Sequence, residues 1–247
     1  MASSHSHSTT ATHTGQLHEK ILDSLGSAII SGHLTPEDTL TIDSLERQYG
    51  VSRSVVRDCL RALQTMNLVE SKRRVGITPQ HRTNWNVYEP RIIRWRLASS
   101  DRANQLRSLT QLRAAVEPEA ARLAAENITP ESADTIRSIA GEMWAAGKSA
   151  NTALFLERDI EFHRFILNLS KNEMFSHLHA VIEEVLTGRT THGLMSARPH
   201  QDALQQHLDV AEAIASGDGE ESAAAMQRLM RRTLDEMMER IPTTQLS

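Results

Sequence analysis

The stretch Gly50-Val51-Ser52-Arg53-Ser54-Val55-Val56-Arg57-Asp58-Cys59-Leu60-Arg61-Ala62-Leu63 places the tightest constraint on this chain. Val51, Val55, Val56, Cys59, Leu60 and Leu63 recur at three- and four-residue spacing, the period of a helix that buries one face. Arg53, Arg57 and Arg61 form a second stripe, four residues apart, on another face. Gly50 can take the left-handed turn that a Cβ resists, and Ser52 is placed to cap the helix with its hydroxyl. A turn leading into a helix with arginines in line suits a DNA major groove. An ordinary amphipathic helix with a solvated arginine face has the same pattern, so the flanking sequence has to decide.

The flanks favour DNA. Residues 52–82 carry Arg53, Arg57, Arg61, Lys72, Arg73, Arg74 and Arg82 against only Asp58 and Glu70, in a chain whose formal net charge is -4. A local basic patch on an acidic body suits a DNA-binding module joined to a different domain. Upstream, Leu17, Ile21, Leu22, Leu25, Ala28, Ile29 and Ile30 predict a helix over about 17–31, stopped by Gly32 and the turn Thr35-Pro36-Glu37-Asp38. Thr41 or Asp43 then caps a short helix ending near Tyr49. Downstream, Val69–Lys72 and Arg73–Thr78 can pair as a hairpin with Lys72, Arg73 and Arg74 near its tip, a wing able to lie on phosphates or enter the minor groove, where Gly76 permits close approach.

Composition bounds the rest. Gly (11), Pro (7) and aromatics (4%) are sparse while Leu, Ala and Arg are frequent, which predicts a mainly α protein. Cys59 is the one cysteine, so no intramolecular disulfide can form, and its place on the apolar stripe predicts a packed thiol suited to a reducing cytoplasm. No apolar run is long enough to span a membrane. Residues 1–15 lack the apolar core of a signal peptide and read as a disordered tail, whose His5, His7 and His13 offer a metal no fixed geometry.

Ile29-Ile30-Ser31-Gly32-His33-Leu34, Leu45, Gly50-Val51-Ser52-Arg53, Val56-Arg57, Leu60, Leu63, Leu68-Val69 and Arg74-Val75-Gly76 resemble, in order and spacing, the winged helix of GntR-type bacterial transcription regulators. The resemblance implies that Arg53 and Arg57 contact operator bases or phosphates, that Ser54 contacts phosphate, and that Gly76 marks the wing tip; Arg61, Lys72, Arg73 and Arg74 complete the expected DNA surface. Ile42-Asp43 stands where many relatives carry a Glu-Arg pair whose arginine touches DNA, so this chain is expected to lack that contact and to prefer a different operator.

Residues 79–100 read as a connector with a short helix opened by Pro90. Asn84–Leu97 resembles the linker of relatives that respond to sugar acids such as galactonate or gluconate, and Trp85 and Trp95 are also placed to clamp two domains together. Beyond it, helical segments are expected over 103–126, 130–147, 150–169, 173–191, 199–216 and 218–240, with a kink at Pro118. The resulting division is a tail over 1–15, a winged helix-turn-helix over 16–80, a linker over 81–101, an all-α effector-binding domain over 102–241 and a tail over 242–247.

In the second half, Asp159 and His163 are four apart and share a helix face, and His207 lies on a later helix. A carboxylate and two imidazoles converging in a bundle suit Zn²⁺ or another divalent metal, although Asp-x-x-x-His alone is an ordinary helix-surface pair. Asp159-Ile160-Glu161-Phe162-His163, Asn172, His207 and Ala213–Asp218 resemble the FCD effector domain of the FadR subgroup, in which many members have one Asp and three His; the position of the last His is Leu229 here. The resemblance implies either a metal completed by water or by effector oxygens, or a metal-free site in which the same residues bind the effector. Arg113 matches an arginine that often faces the cavity and could grip a carboxylate; an i,i+4 pair with Glu117 is the other reading. Arg189 is a further candidate, and His177, His179, His192 and His200 show no spacing logic.

The resemblance implies a cytoplasmic, homodimeric regulator that represses sugar-acid catabolism genes, binds a palindromic operator and is released by a small carboxylate such as gluconate or galactonate. Another small-acid or acyl effector is the alternative. A metal-dependent hydrolase built on Asp159, His163 and His207 would lack an evident general base at a fixed offset, a nucleophile elbow or a phosphate-cradling glycine loop.

Overall fold

A computed structural model describes residues 7–193 and 201–240. Residues 1–6, His200 and the tail over 242–247 lie outside the described residues. The chain divides between Ser100 and Asp101 into two compact units.

The first unit is built on three helices, α1 (His7–Ile30), α2 (Ile42–Tyr49) and α3 (Arg53–Thr65), followed by a hairpin of β1 (Val69–Lys72) and β2 (Gly76–Pro79). Helix α1 takes in residues that read as tail, because no proline interrupts them and each residue added to a formed helix gains a hydrogen bond. Its buried face, Ile21, Leu22, Leu25 and Ile29, packs with Leu45 of α2 and with Val55, Val56, Cys59, Leu60 and Leu63 of α3. Thr41 caps α2 in a reciprocal box with Ser44. Gly50 ends it at φ 63°, the left-handed conformation that favours glycine. Ser52 stands at the N-cap of α3 but makes no side-chain cap bond; its hydroxyl pairs with that of Ser54 at 2.9 Å. The Cys59 thiol is fully buried, which pushes its pKa up to about 11.

Strands β1 and β2 pair antiparallel, Lys72 opposite Gly76, and Leu40 bridges Ile77 as a third short pairing. Gly76 has φ +125°, and a Cβ there would lie 2.8 Å from Cγ2 of Thr39 and 3.1 Å from the Leu40 carbonyl. Both its positive φ and this internal approach favour glycine there.

The segment expected to be a connector folds onto the first unit. A 3₁₀ turn (Arg82–Asn84) leads to α4 (Pro90–Ala98), which Pro90 opens. The Trp95 indole donates to Asp23 of α1 at 3.1 Å, Arg91 pairs with Glu19 at 2.7 Å, and the Trp85 indole donates to the Gln80 carbonyl at 2.9 Å. Both tryptophans thus pack within the first unit. A Cβ on Gly26 would stand 2.4 Å from the Trp95 ring, a rigid group that cannot swing aside. Gly26→Ala is therefore expected to cost about 1–3 kcal/mol of stability by overpacking. Urea unfolding checks it, and an unchanged midpoint would show that the ring has room to move.

The second unit is all-helical: α5 (Arg102–Glu126), α6 (Pro130–Lys148), α7 (Thr152–Leu169), α8 (Glu173–Ser176), α9 (His179–Thr191), α10 (Gln201–Ala215) and α11 (Gly219–Arg240). Ala120, Ala121 and Ala124 of α5 let its neighbours approach closely, and the core continues through Ile136, Phe162, Ile166, Ile214 and Met226. Helix α5 runs through Pro118 without ending. The single helix expected over 173–191 is two. At the junction the ring Nδ1–H groups of His177 and His179 donate to the carbonyls of Glu173 and Ser176, each at 2.7 Å, and the Glu173 carbonyl also keeps its helical bond from the His177 N–H at 3.2 Å. This gives two of the histidines without spacing logic a local role. No described helix is long and apolar enough to cross a membrane.

Candidate functional site

Two surfaces carry the candidate residues, one in each unit. In the first, α3 turns its apolar stripe inward, so Arg53, Ser54, Arg57 and Arg61 are all exposed on its outer side. Arg53 is not extended freely: its Nη1 lies 2.7 Å from Oδ1 of Asp43 and 3.5 Å from Oε2 of Glu46, both on α2. Arg61 pairs with Asp58 at 3.2 Å, whereas Arg57 has no partner among the described residues. At the hairpin tip, Arg73 and Arg74 are exposed, Lys72 pairs with Glu70 at 2.7 Å, and the Val75 N–H closes the turn onto the Lys72 carbonyl at 3.1 Å. Arg74 takes φ 68°, a left-handed conformation within this three-residue turn. The helix and the hairpin tip together present arginines and a lysine suited to phosphates and base edges.

The second surface is a buried polar cluster in the helical unit. Asp159 and His163 come from α7, His207 from α10, and Arg113 and Glu117 from α5, all buried. One ligand atom from each of Asp159, His163 and His207 lies within 4.8 Å of the others. Oδ1 of Asp159 is 3.2 Å from Nε2 of His163 and 3.6 Å from Nε2 of His207, yet no donor is aligned on it. The Phe162 ring stands edge-on to both imidazoles, with centroids 5.5 Å away.

The neighbours decide which nitrogen of each imidazole faces the cluster. Nδ1 of His207 lies 2.7 Å from the Ala203 carbonyl, which can only accept, so this nitrogen carries the proton and Nε2 is free to donate a lone pair. Nδ1 of His163 lies 2.6 Å from Oε2 of Glu117, which likewise draws a proton to Nδ1. Such outer carboxylate and carbonyl partners orient metal-binding histidines. Three ligand atoms converge, and this donor set fits a divalent ion, with further positions left for other ligands, once Nη2 of Arg113, 3.0 Å from Nε2 of His163, turns from that nitrogen to another acceptor. Leu229, at the position of the family's third histidine, is 2% exposed within the apolar core and adds no donor.

Arg113 makes the i,i+4 pair with Glu117 and also reaches the cluster. It pairs with Glu117, Nε to Oε1 at 2.5 Å, as an i,i+4 neighbour, and its Nη2 lies 3.0 Å from Nε2 of His163. Its Nη1 is buried with no hydrogen-bond partner among the described residues. Glu117 joins the site as a residue that sequence reasoning placed only in an i,i+4 pair with Arg113; that spacing is the signal that points to it. Arg189 is buried in the last turn of α9.

Burial alone would raise the Asp159 carboxyl, but the bonds and charges of His163 and His207 hold it far below the usual carboxylate range. Glu117 follows the same pattern: burial raises it, and the charges of Arg113 and His163 bring it down to about 2. For His163, burial and Arg113 favour the neutral ring, but Glu117 and Asp159 outweigh them and raise its pKa.

Residues 17–78 match the gntR family of bacterial regulatory proteins, and residues 108–232 match the FCD domain. The chain belongs to the GntR family, in the group with an FCD domain. This GntR regulator is 28% identical over 226 residues to the galactonate operon transcriptional repressor of Escherichia coli (strain K12), across 89% of this chain and 97% of that one. It is 30% identical over 204 residues to the transcriptional regulator LutR of Bacillus subtilis (strain 168), across 80% of this chain and 90% of that one. The solved structure of E. coli McbR/YncC aligns with a TM-score of 0.52 at 18% identity, covering 90% of this chain and 97% of that one, and it supports the fold alone. The family makes the protein a DNA-binding transcription regulator and not an enzyme.

Proposed function

We propose that this GntR regulator is a homodimeric repressor of sugar-acid breakdown that leaves a palindromic operator when a small hydroxycarboxylate binds the α5–α7–α10 cluster. The observation that carries the effector class is the buried Nη1 of Arg113, a cationic donor with no partner among the described residues, beside the convergent Asp159, His163 and His207. A buried guanidinium donor is costly to leave unpaired, and a carboxylate is its natural acceptor. Oδ1 of Asp159 and Nε2 of His163 and His207 would hold Zn²⁺ or another divalent ion, which would supply a Lewis-acidic anchor for the effector's carboxylate and hydroxyl oxygens. With that ion the guanidinium and the metal outweigh the two carboxylates, so an anionic effector is favoured. The polar, charged lining argues against an acyl chain, which would want an apolar tunnel. The similarity to the galactonate operon repressor makes galactonate and its relatives the first effectors to try.

Effector binding represses or releases only through differential affinity. If the acid prefers the conformation that does not hold DNA, operator affinity must fall by the same factor by which DNA weakens the acid. The test is fluorescence anisotropy on DNA upstream of the protein's own gene, at fixed moderate salt because phosphate contacts make affinity salt-dependent. Titration with gluconate, galactonate and related keto acids is expected to release the DNA. Arg57→Ala is expected to lower operator affinity about tenfold or more with effector binding intact, and His207→Ala to do the converse. Operator binding that no acid disturbs would remove the sugar-acid reading, and loss of both activities in either folded variant would remove the division of labour.

A further inference from the structure

The pair between Asp43 and Arg53 bears on how the operator is read, given α3 as the DNA-contacting helix of the proposed function. Arg53 opens α3, and Asp43 lies in the first turn of α2, ten residues earlier across the Gly50 turn. Glu46 is three residues beyond Asp43, so both carboxylates reach the same guanidinium nitrogen, Nη1, at 2.7 and 3.5 Å. The side chains of Arg53 and Asp43 are 53% and 63% exposed. An ion pair so open to water adds little to stability, so its main consequence is geometric.

A guanidinium is a planar fork of five donors. With Nη1 held, the edge formed by Nε and Nη2 is free of any described contact, and its two parallel N–H groups match O6 and N7 of guanine. An arginine already held in one rotamer loses less freedom on making that contact. The two carboxylates also repel phosphate, which turns this arginine from the backbone toward the base edges. We propose that Asp43, supported by Glu46, is a specificity-determining positioning residue that holds Arg53 for a guanine of the operator.

The test uses the full-length protein and its Asp43→Ala, Asp43→Asn and Arg53→Ala variants. Each is put through selection from a random duplex library, then through affinity measurements on the selected site, on its single-base variants and on an unrelated duplex, at one salt concentration. Thermal unfolding confirms that each variant is folded, and Asp43→Asn keeps the size of the side chain should alanine perturb α2. The wild type is expected to prefer a guanine at one base pair by about tenfold or more. Both Asp43 variants are expected to lose that preference at the same base pair as Arg53→Ala, while binding the unrelated duplex as tightly or more tightly. Adding Arg53→Ala to Asp43→Ala is expected to lose nothing further. If Arg53→Ala loses a base preference that the Asp43 variants keep, the positioning role is wrong. If the Asp43 variants bind every sequence more tightly with preferences intact, the pair only sequesters Arg53, and the proposal is overturned. If Arg53→Ala keeps every base preference, the underlying reading of Arg53 as a base contact fails instead.

Discussion

Glu117→Ala is expected to destabilise the helical unit by about 3–5 kcal/mol, the cost of leaving a buried charge without its partner. Arg113 and Glu117 are 2% and 1% exposed, and Glu117 also lies against His163, so its removal strands a guanidinium and an imidazole together. The pair itself is not the source of net stability, because desolvating two charges costs about as much as their attraction returns. The double variant Arg113→Met, Glu117→Leu should therefore recover most of the loss, at the expense of the effector. Urea unfolding of the full chain measures both. A single variant within about 1 kcal/mol of wild type would mean that Arg113 finds water or another acceptor, and the buried-pair argument would fall. The same carboxylate gives a pH signature. Its pKa is depressed from 4.5 to about 2, so its contribution is present above 4.5 and disappears as pH falls toward 2. At about 1.4 kcal/mol per unit this is of order 3 kcal/mol, and the acid loss attributable to this group should be missing from Glu117→Ala.

The parts of this fold legible in the sequence are those set by neighbours along the chain. Gly50 at a left-handed cap, Thr41 at the start of α2, the inward stripe from Val55 to Leu63 and the basic hairpin tip all follow from local periodicity and turn chemistry. What stays hidden depends on residues meeting across the fold. In the sequence Asp43 signals only the loss of a DNA contact, and the packing of α2 on α3 is needed to show it gripping Arg53. Gly76 signals room for DNA at the wing tip, but the bridge between Leu40 and Ile77 supplies an internal reason for it. The break between α8 and α9 falls where the sequence has neither proline nor glycine, so no turn signal reveals it. In the polar cluster, the i,i+4 relation of Asp159 and His163 is readable, as is that of Arg113 and Glu117. Their convergence with His207 from three separate helices is suggested by resemblance, and the helix packing brings it about.

Divalent metal is expected to bind this cluster more tightly as pH rises through neutrality, and to stabilise the fold by about 2.7 kcal/mol at a concentration about one hundred times its Kd. Without metal, His163 has a raised pKa, held up against burial by Glu117 and Asp159. That proton stabilises the metal-free fold fully below the ordinary histidine value and is lost as pH climbs through the raised one. A metal on Nε2 requires that the ring give up a proton, so the ion and the proton compete for His163. The metal-free fold thus weakens over the pH range in which the metal-bound fold gains, and the difference in Tm between chelator-treated and Zn²⁺-loaded protein should widen with pH. Calorimetric titration in two buffers of different ionisation enthalpy should also record proton release at and below neutrality. Asp159→Asn keeps the shape of the side chain but removes the anionic oxygen that lies 3.2 and 3.6 Å from the two imidazoles, and it should abolish both the widening Tm difference and the proton release. Stabilisation that persists in Asp159→Asn, or an affinity indifferent to pH, would place the metal elsewhere and leave Asp159, His163 and His207 as direct hydrogen-bonding partners of the effector.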